Sequence, residues 1–146
     1  MTSTQPAPAP QTVHASAVAL GGKAVLITGA SGQGKSALAL ELMALGAALV
    51  SDDRVILTRA GGRLIASAPG SIAGQIEARF VGLLKAEDAG PTPLALLVQL
   101  DNVETDRLPP LRSTELMGVM LPTVHKCEGR SFAAAILQYL KGGRIA

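Results

Sequence analysis

Apolar and polar positions along this 146-residue chain mark out its elements before any chemistry is considered. Residues 13–20 alternate loosely and end in Gly21-Gly22-Lys23. That pattern predicts a strand and a tight turn into a second strand, residues 24–28, the two paired as a hairpin. A glycine-rich run follows, then a helix from Lys35 to about Leu45. Leu38, Leu42 and Leu45 form one face of that helix, while Ala39 and Met43 leave the other hardly polar. A helix apolar nearly all round needs cover on two sides, from its own sheet and from a second element or another subunit. Gly46 ends it. Residues 47–50, 55–59 and 64–67 predict strands, the last two joined by the turn Ala60-Gly61-Gly62. Ala68-Pro69-Gly70 breaks the chain before a short helical segment over residues 71–78. Residues 93–100 form the most apolar strand, 101–111 a polar, proline-containing connection, and 132–140 a last helix with Ile136, Leu137 and Leu140 to pack, stopped by Gly142-Gly143. No internal repeat is present.

Composition narrows what such a chain can be. Its length allows one domain with a real core, and 48 % hydrophobic residues agree with a folded globule. Aromatics are only 2 % of the chain, so Ala, Val, Leu and Ile must build the core and base-stacking surfaces for nucleic acid are nearly absent. The net charge of +2 spreads 13 Lys and Arg among 11 acids without a basic stripe, so excess charge names no partner and no nucleic acid is expected. Cys127 is the single cysteine, so no internal disulfide forms, as suits a reducing compartment. Residues 1–12 read as a disordered tail with neither the basic start nor the apolar centre of a signal peptide, and residues 13–146 as one domain. No apolar stretch is long enough to span a bilayer, and the expectation is a cytoplasmic protein.

The candidate chemistry begins at Gly29-Ala30-Ser31-Gly32-Gln33-Gly34-Lys35-Ser36, which fits G-x-x-x-x-G-K-[ST] between a predicted strand and a predicted helix. Glycines let such a loop curl so that consecutive N–H groups face phosphate oxygens. Lys35 suits the outer phosphates, the Ser36 hydroxyl suits Mg²⁺, and the helix adds its positive dipole end. A strand, a crossover helix and a second parallel strand wind right-handedly, which puts both carboxyl ends on one edge. Residues 24–28 and 47–50 as those strands bring the loop and Ser51-Asp52-Asp53 to one crevice. Successive side chains of an extended segment point oppositely, so one of Asp52 and Asp53 aims at a γ-phosphate while the other caps the loop or holds metal-bound water. A carboxylate there is the base a phosphotransferase needs. Asp101, ending the apolar run 94–100, is a rival acid with the pattern of a Walker B metal ligand.

These residues resemble the kinase domain of HPr kinase/phosphorylase, the bacterial enzyme that modifies a serine on the phosphocarrier HPr. The likeness takes in Val13-His14, the loop Gly29 to Ser36, the acidic pair after Leu49-Val50-Ser51, and the segment Ile76-Glu77-Ala78-Arg79-Phe80-Val81-Gly82. It extends to Thr105-Asp106-Arg107-Leu108, Met117-Gly118-Val119 and Leu121-Pro122. The resemblance implies a P-loop α/β fold of the HPr kinase and PEP carboxykinase-like type, a mixed sheet with flanking helices. It implies transfer of the γ-phosphate of ATP to a serine of an HPr-like phosphocarrier, with Mg²⁺ held by Ser36 and Glu77. Asp53 would be the base, tuned by His14, and Lys35 and Arg107 would stabilise phosphoryl charge; Arg79 and Arg130 are further candidates. Members assemble into hexamers, and many also run the reverse phosphorolysis.

Three departures stand out. Relatives carry an additional N-terminal domain where this chain has a short tail, so regulation through that domain is expected to be missing. The late loop tied to phosphorolysis is shortened to His125-Lys126-Cys127-Glu128-Gly129-Arg130-Ser131, which leaves that direction open. The signature segment also carries Phe80 where relatives have glycine. Competing readings are a small-molecule kinase or ATPase using Asp101, and a nucleotide-sensing module without turnover.

Overall fold

The computed structural model describes residues 8–146, in the order β1 (Gln11–His14), β2 (Ser16–Leu20), β3 (Lys23–Thr28), α1 (Lys35–Ala44), β4 (Ala48–Ser51), β5 (Arg54–Ala60) and β6 (Arg63–Ser67). A 3₁₀ turn over Gly70–Ile72 leads to β7 (Gln75–Ala78), β8 (Gly82–Lys85), β9 (Thr92–Val103), β10 (Arg112–Leu116), β11 (Val119–Lys126) and α2 (Phe132–Gly142). Residues 1–7 of the expected tail lie outside the described part. Gln11 and Thr12, assigned to that tail from sequence, instead belong to β1, which pairs antiparallel with β5.

β2 and β3 form the expected hairpin, with Leu20 opposite Lys23. Its turn residues Gly21 and Gly22 have φ of 60° and 77°, the left-handed pair that a two-residue hairpin turn matched to strand twist requires. The strand predicted over 13–20 divides at Ala15, and its two halves pair with different partners.

Among the described residues one large mixed sheet runs β1-β5-β6-β9-β3-β2-β4, with β11 joined to β9 and β10 to β11. β9 organises it. Its first residues pair with β6, residues 94–99 run parallel to β3, and from Leu97 onward its other edge takes β11 in parallel. A strand buried on both faces must be apolar throughout, which explains the run Leu94-Ala95-Leu96-Leu97-Val98. The register slips between Ala24 and Val25, so Leu94 and Leu97 join one core and Leu96, Val98 and Leu100 the other.

The first core lies under the helices. Val18, Val25, Ile27, Leu96 and Val98 meet Leu38, Ala39 and Leu42 of α1 and Ala133, Ile136, Leu137 and Leu140 of α2. The second cover expected for α1 is therefore α2 of the same chain, and this helix lends no support to a subunit contact. Leu45, expected on its buried face, is 55 % exposed because α1 ends at Ala44. On the opposite face the sheet curls over itself, and Val55, Leu57, Leu64 and Ala66 pack on Ala15, Ala17, Ala19, Ala24 and Leu26. The alanines let the layers approach closely, as a core without aromatics must.

Three expectations fail for identifiable reasons. The helix expected over 71–78 is a 3₁₀ turn followed by β7, whose exposed and buried residues alternate, with Ile76 and Ala78 inward. β9 runs on through Val103, so Asp101 ends no strand. β10 and β11 were not predicted, because Pro122 interrupts the strand pattern; it precedes Thr123, where pairing with β9 begins, and so needs no N–H on that side.

Candidate functional site

β3 and β4 are not neighbours: β2 lies between them, antiparallel to both. They still point the same way, so the loop after β3 and the acidic pair after β4 leave one sheet edge, as the sequence implied. The glycine-rich loop runs from β3 into α1, with Gln33 N–H donating to Ala30 O at 3.1 Å and Leu38 N–H to Gly34 O at 2.9 Å. Gly29 packs so tightly that a Cβ there would lie 3.1 Å from Leu100 Cβ and 3.7 Å from Asp101 Oδ1. Lys35 Nζ donates to Gly29 O at 2.7 Å and Ala30 O at 3.2 Å, so its ammonium rests on the loop's own carbonyls. Residues 30–34 are exposed.

The acidic pair divides its work. Asp52, only 8 % exposed, accepts from Ser36 Oγ at 2.7 Å and Ser16 Oγ at 2.8 Å on Oδ1, and from the Glu77 N–H at 3.3 Å on Oδ2. One buried carboxylate thus ties the start of α1, β2 and β7 together. Asp53 turns the other way, exposed and at φ 69°, a left-handed conformation that aspartate tolerates better than most residues. Its carbonyl accepts from the Ala15 N–H at 3.2 Å, and His14, opposite Arg54 across the β1–β5 pair, lies exposed at the same corner.

The expected site residues fall into two groups. Ser36, Asp52 and the Glu77 backbone share hydrogen bonds, Lys35 and Gly29 to Gly34 lie on the adjoining loop, and Asp53 and His14 stand beside them. Asp101 also reaches the loop, its Oδ1 accepting the Ala30 N–H at 2.9 Å. Arg79, Arg107 and Arg130 are exposed on separate connections and bond to none of these groups. Ser16 is the residue that sequence reading missed. A serine amid Ala15 and Ala17 in an apolar strand was the available signal, because a buried hydroxyl needs a partner.

In the turn after β7, Phe80 has φ 67° and is fully exposed, a left-handed conformation that a bulky side chain rarely adopts. A cavity of about 700 Å³ lined by residues 73–75 and 83–88 lies against this hairpin and includes none of the loop cluster. Among the described residues no three His, Cys, Asp or Glu side chains converge on a metal site.

The family model described as HPr Serine kinase C-terminal domain matches residues 7–125. The chain belongs to this family. It is 34 % identical over 127 residues to the HPr kinase/phosphorylase of Limosilactobacillus reuteri, covering 78 % of this chain and 40 % of that protein. It is 43 % identical over 77 residues to the HPr kinase/phosphorylase of Clostridium botulinum, covering 52 % and 25 % respectively. The chain thus spans a quarter to two fifths of the length of these relatives. The solved structure of the Hpr(Ser) kinase/phosphatase from Coxiella burnetii has the same fold, with a TM-score of 0.75 at 23 % identity over 90 % of this chain and 94 % of that one. The expected fold class, an α/β mixed sheet of the HPr kinase type, is the one observed.

Proposed function

We propose that this chain transfers the γ-phosphoryl group of ATP to a serine hydroxyl of an HPr-like phosphocarrier in the cytoplasm. The observation that carries the reading is the split acidic pair: Asp52 spends its carboxylate on Ser36, Ser16 and Glu77, which leaves Asp53 exposed at the edge where an acceptor would approach. The loop amides and the N-terminus of α1 bind the phosphates, and Lys35 exchanges its carbonyl partners for phosphate oxygens. The acceptor hydroxyl attacks the γ-phosphorus and gives its proton to Asp53; the bond to the β-phosphate oxygen breaks, and ADP leaves with that electron pair. His14 sits at the Asp53 corner, where an imidazole can bias the proton's return in the reverse direction. Arg107 neutralises charge on the transferring group.

The oxygen donors present fit Mg²⁺. Ser36 and Glu77 would hold it, and with few protein donors the rest of its ligands would come from nucleotide and water. When bound it neutralises the β- and γ-phosphates. Asp101, with Oδ1 on the Ala30 N–H, acts in this reading as a brace for the loop.

The test is incubation with labelled ATP, Mg²⁺ and purified HPr, read as phosphoserine. Asp53→Asn is expected to reduce transfer by about 10²- to 10⁴-fold, the usual contribution of a positioned base. Abolition by Asp101→Asn with Asp53→Asn active would replace this reading with the Asp101-dependent one. Tight ATP binding without phosphoserine would point to a sensor. Added inorganic phosphate tests for phosphorolysis.

A further inference from the structure

The segment 105–111 leaves β9 at the sheet edge from which the glycine-rich loop also projects, and carries Arg107. Its ends are joined by a charged pair. Glu104 Oε1 accepts from Arg112 Nε and Oε2 from Arg112 Nη2, both at 3.1 Å, a two-pronged contact across the base of the segment. Glu104 Oε2 also accepts the N–H groups of Thr105 at 3.1 Å and Asp106 at 3.3 Å, the two residues immediately before Arg107. The Glu104 N–H in turn donates to Lys126 O at 2.8 Å, which fixes the carboxylate's own backbone to β11. At the far side Arg144, beyond α2, donates from Nη2 to Pro109 O. Pro109 and Pro110 restrict the remaining backbone. Only 12 % of the Glu104 side chain is exposed, so water competes little for these bonds.

We propose that Glu104 and Arg112 are positioning residues that fix the 105–111 segment so that Arg107 is held ready for the transferring phosphoryl group. The inference rests on the role given to Arg107 above. A free seven-residue connection would have to order its arginine at each encounter with nucleotide, whereas a clamped one has already lost that freedom. The clamp uses main-chain donors at Thr105 and Asp106, so it sets the direction in which the next residue leaves. A bidentate guanidinium–carboxylate contact is directional as well as strong, and lysine at 112 would keep the charge but not the fork.

The experiment is a double-mutant cycle with a spectroscopic readout. Glu104→Gln and Arg112→Lys are each expected to lower kcat for phosphoryl transfer about tenfold, leave KM for ATP within twofold, and raise amide exchange at Thr105 and Asp106. In an Arg107→Ala background neither is expected to lower kcat further. Equal losses with and without Arg107, or unchanged turnover despite faster exchange, would overturn the proposal. Independently of any acceptor, the Arg107 side-chain NMR signal is expected to shift sharply on titration with Mg·ATP, and to broaden and lose that response in Glu104→Gln. A wild-type signal that ignores Mg·ATP overturns the proposal. A responsive signal without phosphoserine on HPr supports it and refutes only the choice of acceptor.

Discussion

Replacing Asp52 by Asn keeps the side-chain shape and disturbs three hydrogen bonds at once. With the amide oxygen toward Ser16 and Ser36, both hydroxyls keep an acceptor, but the amide nitrogen then faces the Glu77 N–H and two donors meet. Each bond to a carboxylate contributes about 1.5–3 kcal/mol and roughly half that once neutral, and an amide left unpaired costs a further 1–3 kcal/mol. Relief from burying a charge offsets part of this, so the net loss is about 2–4 kcal/mol. For a chain this size that lowers Tm by roughly 5–15 °C. The second effect is on the loop: Ser36 is held less firmly, and Mg·ATP affinity falls on the order of tenfold. Thermal unfolding and calorimetric titration with Mg·ATP measure the two. Ser16→Ala, which removes one of the three donors, is expected to show about a third of the stability loss and little change in affinity. A Tm within 1 °C of wild type for Asp52→Asn, with unchanged affinity, would refute the view that Asp52 ties α1, β2 and β7 together.

Lys35→Met removes the cation resting on Gly29 O and Ala30 O and is expected to weaken Mg·ATP binding by about 10- to 100-fold, with a small change in Tm because the Ala30 contact is exposed and the Gly29 contact only partly buried. Fluorescent-nucleotide titration checks it. Gly29→Ala sets a methyl 3.1 Å from Leu100 Cβ and is expected to cost about 1–3 kcal/mol, measurable by denaturant unfolding. The Arg112 guanidinium, the leading cause, and the N–H groups of Asp106 and Thr105 hold the Glu104 carboxyl below its usual range, while the same contact pushes Arg112 further up. A lowered carboxyl value means that the clamp's contribution is complete above the unfolded value, roughly 4.3, and is lost as pH falls through the folded one. Protection of the Thr105 and Asp106 amides is therefore expected to be level from neutral pH to about 4.5 and to decline progressively below it as pH falls toward the folded value; loss already near pH 6 would contradict the pairing.

Local pattern carried much of this molecule in plain view. The Gly21-Gly22 turn, the loop from Gly29 to Ser36, the helix it opens and the last helix each depend on neighbours within a turn or two, and each was legible from residue order. The common edge of loop and acidic pair also followed from chain direction, although β2 intervenes between the two strands. What depended on distant partners was not legible. Glu77 was expected on a helix because Gln75 to Ala78 is too short to reveal its period, and only pairing with β8 makes it a strand. The continuation of β9 past Asp101 depends on a distant partner, since Val103 pairs with Lys126 of β11.

The division at the site has the same cause. Sequence alone brought Asp52 and Asp53 to the edge shared with the glycine-rich loop, through chain direction; they lie in a bend beyond β4, Asp53 at φ 69°, so strand alternation does not set which way each faces. Tertiary structure alone decided which of them turned inward. That choice was made by the buried Ser16 hydroxyl, 36 residues away, and by the Glu77 amide, 25 residues away, which both donate to the Asp52 carboxylate.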